Sequence, residues 1–449
     1  MATPPVGNRS IAGQNVASAR PARSYTRPLA IVTTLFFMWG FLTCLNDILV
    51  PHLKSIFELS YTRAMLIQFA FFSAYFLFSV PWSKIVNAIG YQAAMVAGLL
   101  TMAAGAFLFI PAATAASYPL FLTALVVLAA GIAGLQVAAN PYVVVLGAPE
   151  TAPSRLDLTQ AFNSLGTTIA PKIGGLLILS AAPLAIEQLR QLAPDALHAY
   201  RVHEAASVKM PYTVIGAALI LLAILIGTSR LPKIETAAYR PGEKVNDSIW
   251  KHPNLYLGAI GIFAYVGAEV SIGSFLVNYF GLPEIASLSP VTAAGFVSFY
   301  WGGSMVGRFL GAGVLRRVKP GNLLAFCAIS AAGLVAASML LNGSVAMWAI
   351  LAVGLFNSIM FPNIFTLTLE RSTASPAATS GLLCMAIVGG AILPWTTGKI
   401  ADSIGGSAGL HAAFLLPMVA YVLICAFAVR AARARVVPVG EMAAGGTAG

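Results

Sequence analysis

The sequence predicts an all-α membrane protein of twelve transmembrane helices, arranged as two pseudo-symmetric six-helix halves. Three observations predict it. Of 449 residues, 58% are hydrophobic and 9% are charged. A soluble domain carries about 25% charged residues, so lipid has to be the main solvent here. Next, twelve apolar stretches reach the ~20 residues that a membrane-crossing helix needs. Finally, chemical features recur at a nearly constant offset. Asp47 and Glu269, two acids inside apolar stretches, stand 222 positions apart. Asn140-Pro141 and Phe361-Pro362 are separated by 221, and the segments Gly166 to Pro171 and Gly389 to Pro394 by 223. Matches that keep chain order and fall in equivalent stretches indicate a duplicated chain.

The spans, in order, are 28–52, 63–85, 92–112, 118–147, 157–180, 209–229, 254–280, 289–313, 320–341, 344–369, 376–398 and 409–430. Each is expected to be helical because lipid offers no partner for backbone N–H and C=O groups. Residues 1–27 are polar, carry Arg9, Arg20, Arg23 and Arg27, and show no signal-peptide cleavage pattern. They are expected to form a disordered cytoplasmic arm. A six-helix bundle over 28–229, a cytoplasmic linker over 230–252, a second bundle over 253–430 and a cytoplasmic tail over 431–449 follow. The loop at 181–208 mixes acids and bases and suits a short surface helix.

Charge sets the orientation. With the first residue inside, about 18 Lys and Arg residues fall on the inner side and about six outside. That asymmetry places both termini in the cytoplasm of an inner-membrane protein. The formal charge of +11 is spread over short loops and termini and forms no continuous patch, so nucleic acid is not expected as a partner. Cys44, Cys327, Cys384 and Cys425 lie in apolar segments without CxxC or Cys/His clusters and read as small apolar residues. No metal site is expected. No phosphate-binding Gly-Lys loop, HExxH motif or nucleophile elbow occurs, so neither an enzyme nor a cofactor is expected.

The polar residues inside the spans carry the chemistry. A carboxyl at membrane depth costs roughly 2.5–3.5 kcal/mol on insertion scales, and it needs a use. Asp47, at the end of span 1 after Asn46, reads as a carboxyl that gains and loses a coupling proton; it could instead reach the headgroups. Glu269 in span 7 reads as a coupling group and as a ligand for a sugar or a cation; it could instead tie two helices together. In span 4, Gln136 and Asn140 lie one turn apart on one face, beside Pro141, which frees a backbone carbonyl. Span 5 carries Gln160 and Asn163, and span 10 carries Asn357 and Asn363 around Pro362. Amides offer donors and acceptors together, as sugar hydroxyls require. Single amides also serve as interhelical glue, but amides on equivalent spans of both halves point to a polar midplane. Trp39 and Tyr265 supply aromatic faces suited to the C–H face of a pyranose, although such rings also form interfacial belts. Arg308 reads as a snorkelling or loop-clamping residue. The Gly and Pro five positions apart in spans 5 and 11 predict a bend in each.

These stretches resemble the major facilitator superfamily, and within it the fucose–galactose–glucose:cation symporter family. The similar segments are Phe36 to Pro51, Leu135 to Tyr142, Gln160 to Gly166 and Tyr265 to Glu269. The resemblance implies the superfamily's fold and alternating access to a central sugar site. The family's fucose transporters use acids in spans 1 and 4. The first matches Asp47; the second falls on Gln136, which cannot titrate. Gln136 together with Glu269 resembles the glucose/galactose branch. Cation-coupled uptake of glucose and/or galactose across the inner membrane is therefore implied, with the proton as the expected ion and sodium as the alternative. An N-acetylglucosamine or fucose symporter, or a non-transporting sugar sensor, are the other readings. The implied partners are a hexose, the coupling cation and the bilayer, with the chain acting as a monomer.

Overall fold

The computed structural model describes residues 25–57, 61–178, 193–206, 208–233, 253–372 and 374–433. Side chains at 44–56, 61–66, 171–178, 194, 197, 198, 201, 205 and 290 lie outside that description. The first half contains α1 (Thr26–Ile56), α2 (Tyr61–Ile89), α3 (Tyr91–Thr114), α4 (Tyr118–Val145), α5 (Ala152–Ile178), α6 (Pro194–Ala206) and α7 (Lys209–Thr228). The second contains α8 (Pro253–Phe280), α9 (Pro290–Val314), α10 (Pro320–Leu340), α11 (Gly343–Asn357), α12 (Met360–Arg371), α13 (Pro376–Met385), α14 (Gly389–Ile404), α15 (Gly406–Ala413) and α16 (Leu415–Arg433). No strand occurs among the described residues.

Local chemistry sets the ends of these helices. Proline opens α9, α10 and α13, where its missing N–H would have no helical partner anyway. Ser289 and Ser375 cap α9 and α13 by accepting from the backbone N–H of Thr292 and Ala378. α2 and α3 are joined by Gly90 alone, at φ 83°, a left-handed conformation that favours glycine. Arg155 in the first turns of α5 donates to the carbonyls of Val144 at 2.8 Å and Ala148 at 2.7 Å, which ties down the end of α4. The short helix expected in the loop after span 5 is α6.

Among the described residues, ten segments are long and apolar enough to cross a membrane. α5 and α9 fill the two remaining expected positions. Arg155 and Asp157 dilute the apolarity of α5, and glycine and serine dilute that of α9. Both helices face the other half of the protein rather than lipid alone.

The packing repeats as the sequence does. In the first half α3 packs on α4 and α7, α1 on α5, and α2 on α4. In the second, α10 packs on α11 and α16, α8 on α14, and α9 on α11. These are the same pairings shifted by six spans. Between the halves, α5 meets α9 and α2 meets α13, and the repeat exchanges these two contacts with each other. The glycines of the repeat have a shared task. A Cβ on Gly166 would strike the backbone of Phe37 and Phe41 in α1, and one on Gly389 would strike the backbone of Phe263 in α8. The two Gly-Pro segments differ in local regularity. α5 is helical without interruption through Gly166 and Pro171, whereas span 11 passes through a 3-10 turn at Ala386–Val388 just before Gly389.

Span 10 is also broken, between Asn357 and Met360. Pro362 explains the free acceptor there. Its missing N–H would have bonded the Ser358 carbonyl, four residues earlier. That carbonyl accepts from Arg308 Nε at 3.1 Å instead. Lys84, Arg155, Arg316, Arg317, Lys319, Arg371, Arg430 and Arg433 cluster toward one end of the helices, hereafter the basic end.

Candidate functional site

α4 is buried over its whole middle, so its two amides cannot reach bulk water. Gln136 Nε2 donates to the Tyr75 hydroxyl of α2 at 2.7 Å. One turn on, Asn140 Oδ1 accepts from Gln160 Nε2 of α5 at 3.4 Å. The remaining atoms of this pair, Gln136 Oε1 and Asn140 Nδ2, have no hydrogen-bond partner among the described residues. The Cys384 thiol of α13 faces Tyr75 and Asn140 from the other half. Asn163 acts differently: its Nδ2 donates to the Phe36 carbonyl at 3.0 Å and fastens α5 to α1.

The second half answers with a chain of three groups. Asn357 Nδ2 donates to the Tyr300 hydroxyl at 2.7 Å, which donates to the backbone carbonyl of Glu269 at 3.2 Å. The Glu269 side chain is left for other work. Its carboxyl and the Tyr265 hydroxyl lie beside each other and beside Arg308 without a hydrogen bond of good geometry to Oε1 or to the hydroxyl, and Asn357 Oδ1 has no partner among the described residues. Asn363 is fully buried with both amide atoms unpartnered. A buried polar atom without a partner costs about 1–3 kcal/mol, so this many orphans inside apolar spans call for an explanation.

Arg308 lies among these groups, and its expected role as a loop clamp or snorkelling residue is corrected by where it points. Its guanidinium donates to the Ser164 hydroxyl and to the Gln160 carbonyl of α5, and to the broken segment of span 10 through Ser358. It faces the carboxyls of Glu269 and Asp157 and the Tyr265 hydroxyl. One guanidinium thus bridges both halves and faces two acids. Trp39 is 7% exposed and packs on Phe36 with ring centroids 5.2 Å apart; Tyr265 packs toward Phe361 at 6.5 Å. Asn46 and Asp47 lie on α1, but their side chains fall outside the described residues.

The arrangement is neutral amides and hydroxyls from α2, α4, α5, α8, α9, α11 and α12, with the Glu269 carboxyl and the Arg308 guanidinium, buried where the halves meet. Such a set can hold a neutral polyhydroxylated solute by donors and acceptors together. The Major Facilitator Superfamily profile matches residues 30–383. The chain belongs to the major facilitator superfamily.

The superfamily relatives are close. A glucose/galactose transporter of Brucella abortus is 50% identical over 402 residues, covering 90% of this chain and 93% of the relative. The L-fucose-proton symporter of Escherichia coli is 34% identical over 437 residues, covering 94% and 98%. The crystal structure of the superfamily transporter FucP in the outward conformation matches with a TM-score of 0.81 at 32% identity, covering 91% of this chain and 99% of that one. The twelve-span, two-half architecture is therefore the superfamily's fold, and the chain is a transporter-family protein rather than an enzyme.

Sequence reasoning missed one buried acid. Asp157 is fully buried in α5. It follows Arg155 by two positions at the edge of the expected span, where an acid reads as interfacial. The helix starts five residues earlier than expected, at Ala152, and that puts Asp157 inside. The arginine pattern held the signal: Arg155 is consumed by loop carbonyls, which leaves Asp157 without its apparent partner.

Proposed function

We propose that this protein takes up hexoses, glucose and galactose, across the inner membrane together with protons, by alternating access. The observation that carries the reading is the buried set of orphaned donors and acceptors contributed by two equivalent halves, in a chain half identical to a glucose/galactose transporter. The bundles at 28–229 and 253–430 move as the two gates, joined by the linker 230–252, with the arm 1–27, the tail 431–449 and the basic end in the cytoplasm. Contact between the halves near the basic end, and the likeness to an outward-facing relative, support an outward-facing state.

In the cycle, the sugar enters from the opposite end and bonds to Gln136, Asn140, Gln160, Asn357, Asn363 and Glu269, Trp39 and Tyr265 supply the apolar faces, and Asn46 is a further ligand proposed from the sequence alone. Asn163 contributes chiefly by holding α5 against α1. Asp47 takes up the coupling proton, and Glu269 is the second acid available to it. Neutralising the carboxyl lowers the cost of the occluded state, because a charged group in a dry site is expensive. The halves then rock about the midplane and open the basic end. The relative named as a proton symporter supports a proton over sodium. One chain contains a whole site, which supports action as a monomer.

The test is uptake of radiolabelled glucose and galactose into proteoliposomes, with proton and sodium gradients imposed separately and a panel of competing sugars. Proton-driven accumulation, competed by glucose and galactose more than by fucose or N-acetylglucosamine, is expected. Binding without accumulation would make the protein a sensor and overturn the reading.

A further inference from the structure

Asp157 is the buried acid that the polar midplane does not use. It is 0% exposed, and neither carboxyl oxygen has a hydrogen-bond partner among the described residues. It lies in the contact between α5 and α9 that joins the halves near the basic end. Gly311 of α9 makes room for it: a Cβ there would come within 2.6 Å of Asp157 Oδ2. One turn earlier on α5, the Ser154 hydroxyl donates to the Ala312 carbonyl of α9 at 2.6 Å and closes the same contact. The charged or titratable groups that face Asp157 are Arg308 of α9 and the Cys327 thiol of α10. The other helices on α5, namely α1, α4, α7 and α12, present none to it among the described residues. Arg308 Nε donates to Ser358 and Nη1 to Gln160 and Ser164, and no hydrogen bond from it reaches Asp157.

We propose that Asp157 is a second proton-accepting carboxyl of the transport cycle, which holds a proton while the basic end is closed and releases it to water when α5 and α9 part. The step balances simply. A carboxylate and a proton from the aqueous phase form a carboxylic acid, and opening reverses it. An ionised carboxyl shut away from water and without a hydrogen bond opposes closure of the contact around it, and the charge of Arg308 offsets only part of that cost. Opening hydrates it and removes that opposition. Proton binding at Asp157 and closure of the basic end therefore favour each other, and the coupling is reciprocal. The inference rests on reading the chain as a proton-coupled hexose transporter, but it concerns a residue outside the sugar site.

The test uses the full-length protein in lipid nanodiscs and hydrogen exchange of the peptides over 152–160 and 305–316, corrected for intrinsic rates, at about pH 6 and about pH 8. In the wild type, protection of both peptides should fall several-fold at the higher pH. Asp157→Asn keeps the shape without the charge and should be equally protected at both. Asp157→Glu keeps a titratable group and should retain the wild-type difference. If the Asn variant does not fold, Asp157→Ser carries the same expectation. A wild-type pH difference that persists in the neutral variants, or its absence from the wild type, overturns the proposal. Proton-driven glucose uptake by the wild type is measured in parallel. Its failure would sink the transport reading, whereas normal uptake with a persisting difference would sink the role of Asp157 alone.

Discussion

At the scale of single residues, the site divides into groups that are satisfied and groups that are not. Gln136 is anchored by Tyr75 through its amide nitrogen, which leaves its oxygen free. A net hydrogen bond to a neutral hydroxyl is worth about 0.5–1.5 kcal/mol, and one to a charged group about 1.5–3. Gln136→Ala should therefore weaken glucose binding several-fold by calorimetry, and Glu269→Ala should weaken it more. Unchanged affinity in both variants would put the sugar elsewhere. Asp47→Asn mimics the protonated acid, so concentrative uptake should vanish while exchange of internal for external sugar persists in part. Accumulation at the wild-type level in that variant would remove Asp47 from coupling. The amides and Glu269 were legible in the sequence because polar groups in apolar stretches stand out. The destination of Arg308 was not, because a cation near a span end reads as surface-seeking until the neighbouring helix supplies its acceptors. Asp157 was hidden by Arg155 for the same reason.

At the scale of the helix, small residues decide how closely two backbones approach. Gly166 and Gly389 were read as bending points. They turn out to be contact points first, each pressed on a helix backbone, and only the second stands beside an irregular turn. Overpacking costs typically 1–3 kcal/mol, and here the obstacle is backbone that cannot rotate away. Gly166→Val and Gly389→Val should each lower the thermal unfolding midpoint by several degrees in detergent. Gly333→Ala, where a Cβ meets open space, should leave it unchanged. Equal melting of all three would refute the contact role. The break in span 10 follows from Pro362, which any reading of the sequence contains, but the sequence does not say which donor takes the freed carbonyl. Helix spans were legible because a bilayer demands long apolar runs. The interruptions were not, because one or two residues change hydropathy very little.

At the scale of the whole molecule, the repeat offset in the sequence reappears as equivalent pairings of helices, and the contacts α5 with α9 and α2 with α13 form a symmetric seam. A seam near one end gives the two bundles a contact about which to rock. Cysteine pairs placed across the two halves at the opposite end should therefore block uptake when cross-linked and restore it when reduced. Transport at the normal rate in the cross-linked protein would contradict rocking. The central claim, that a neutral hexose moves together with a proton, has a more direct test. Glucose is added to lightly buffered proteoliposomes without any imposed gradient, and the external pH is followed. The account predicts a prompt alkalinisation that depends on the sugar and disappears with Asp47→Asn, whereas entry of labelled glucose with no change in external pH would contradict it.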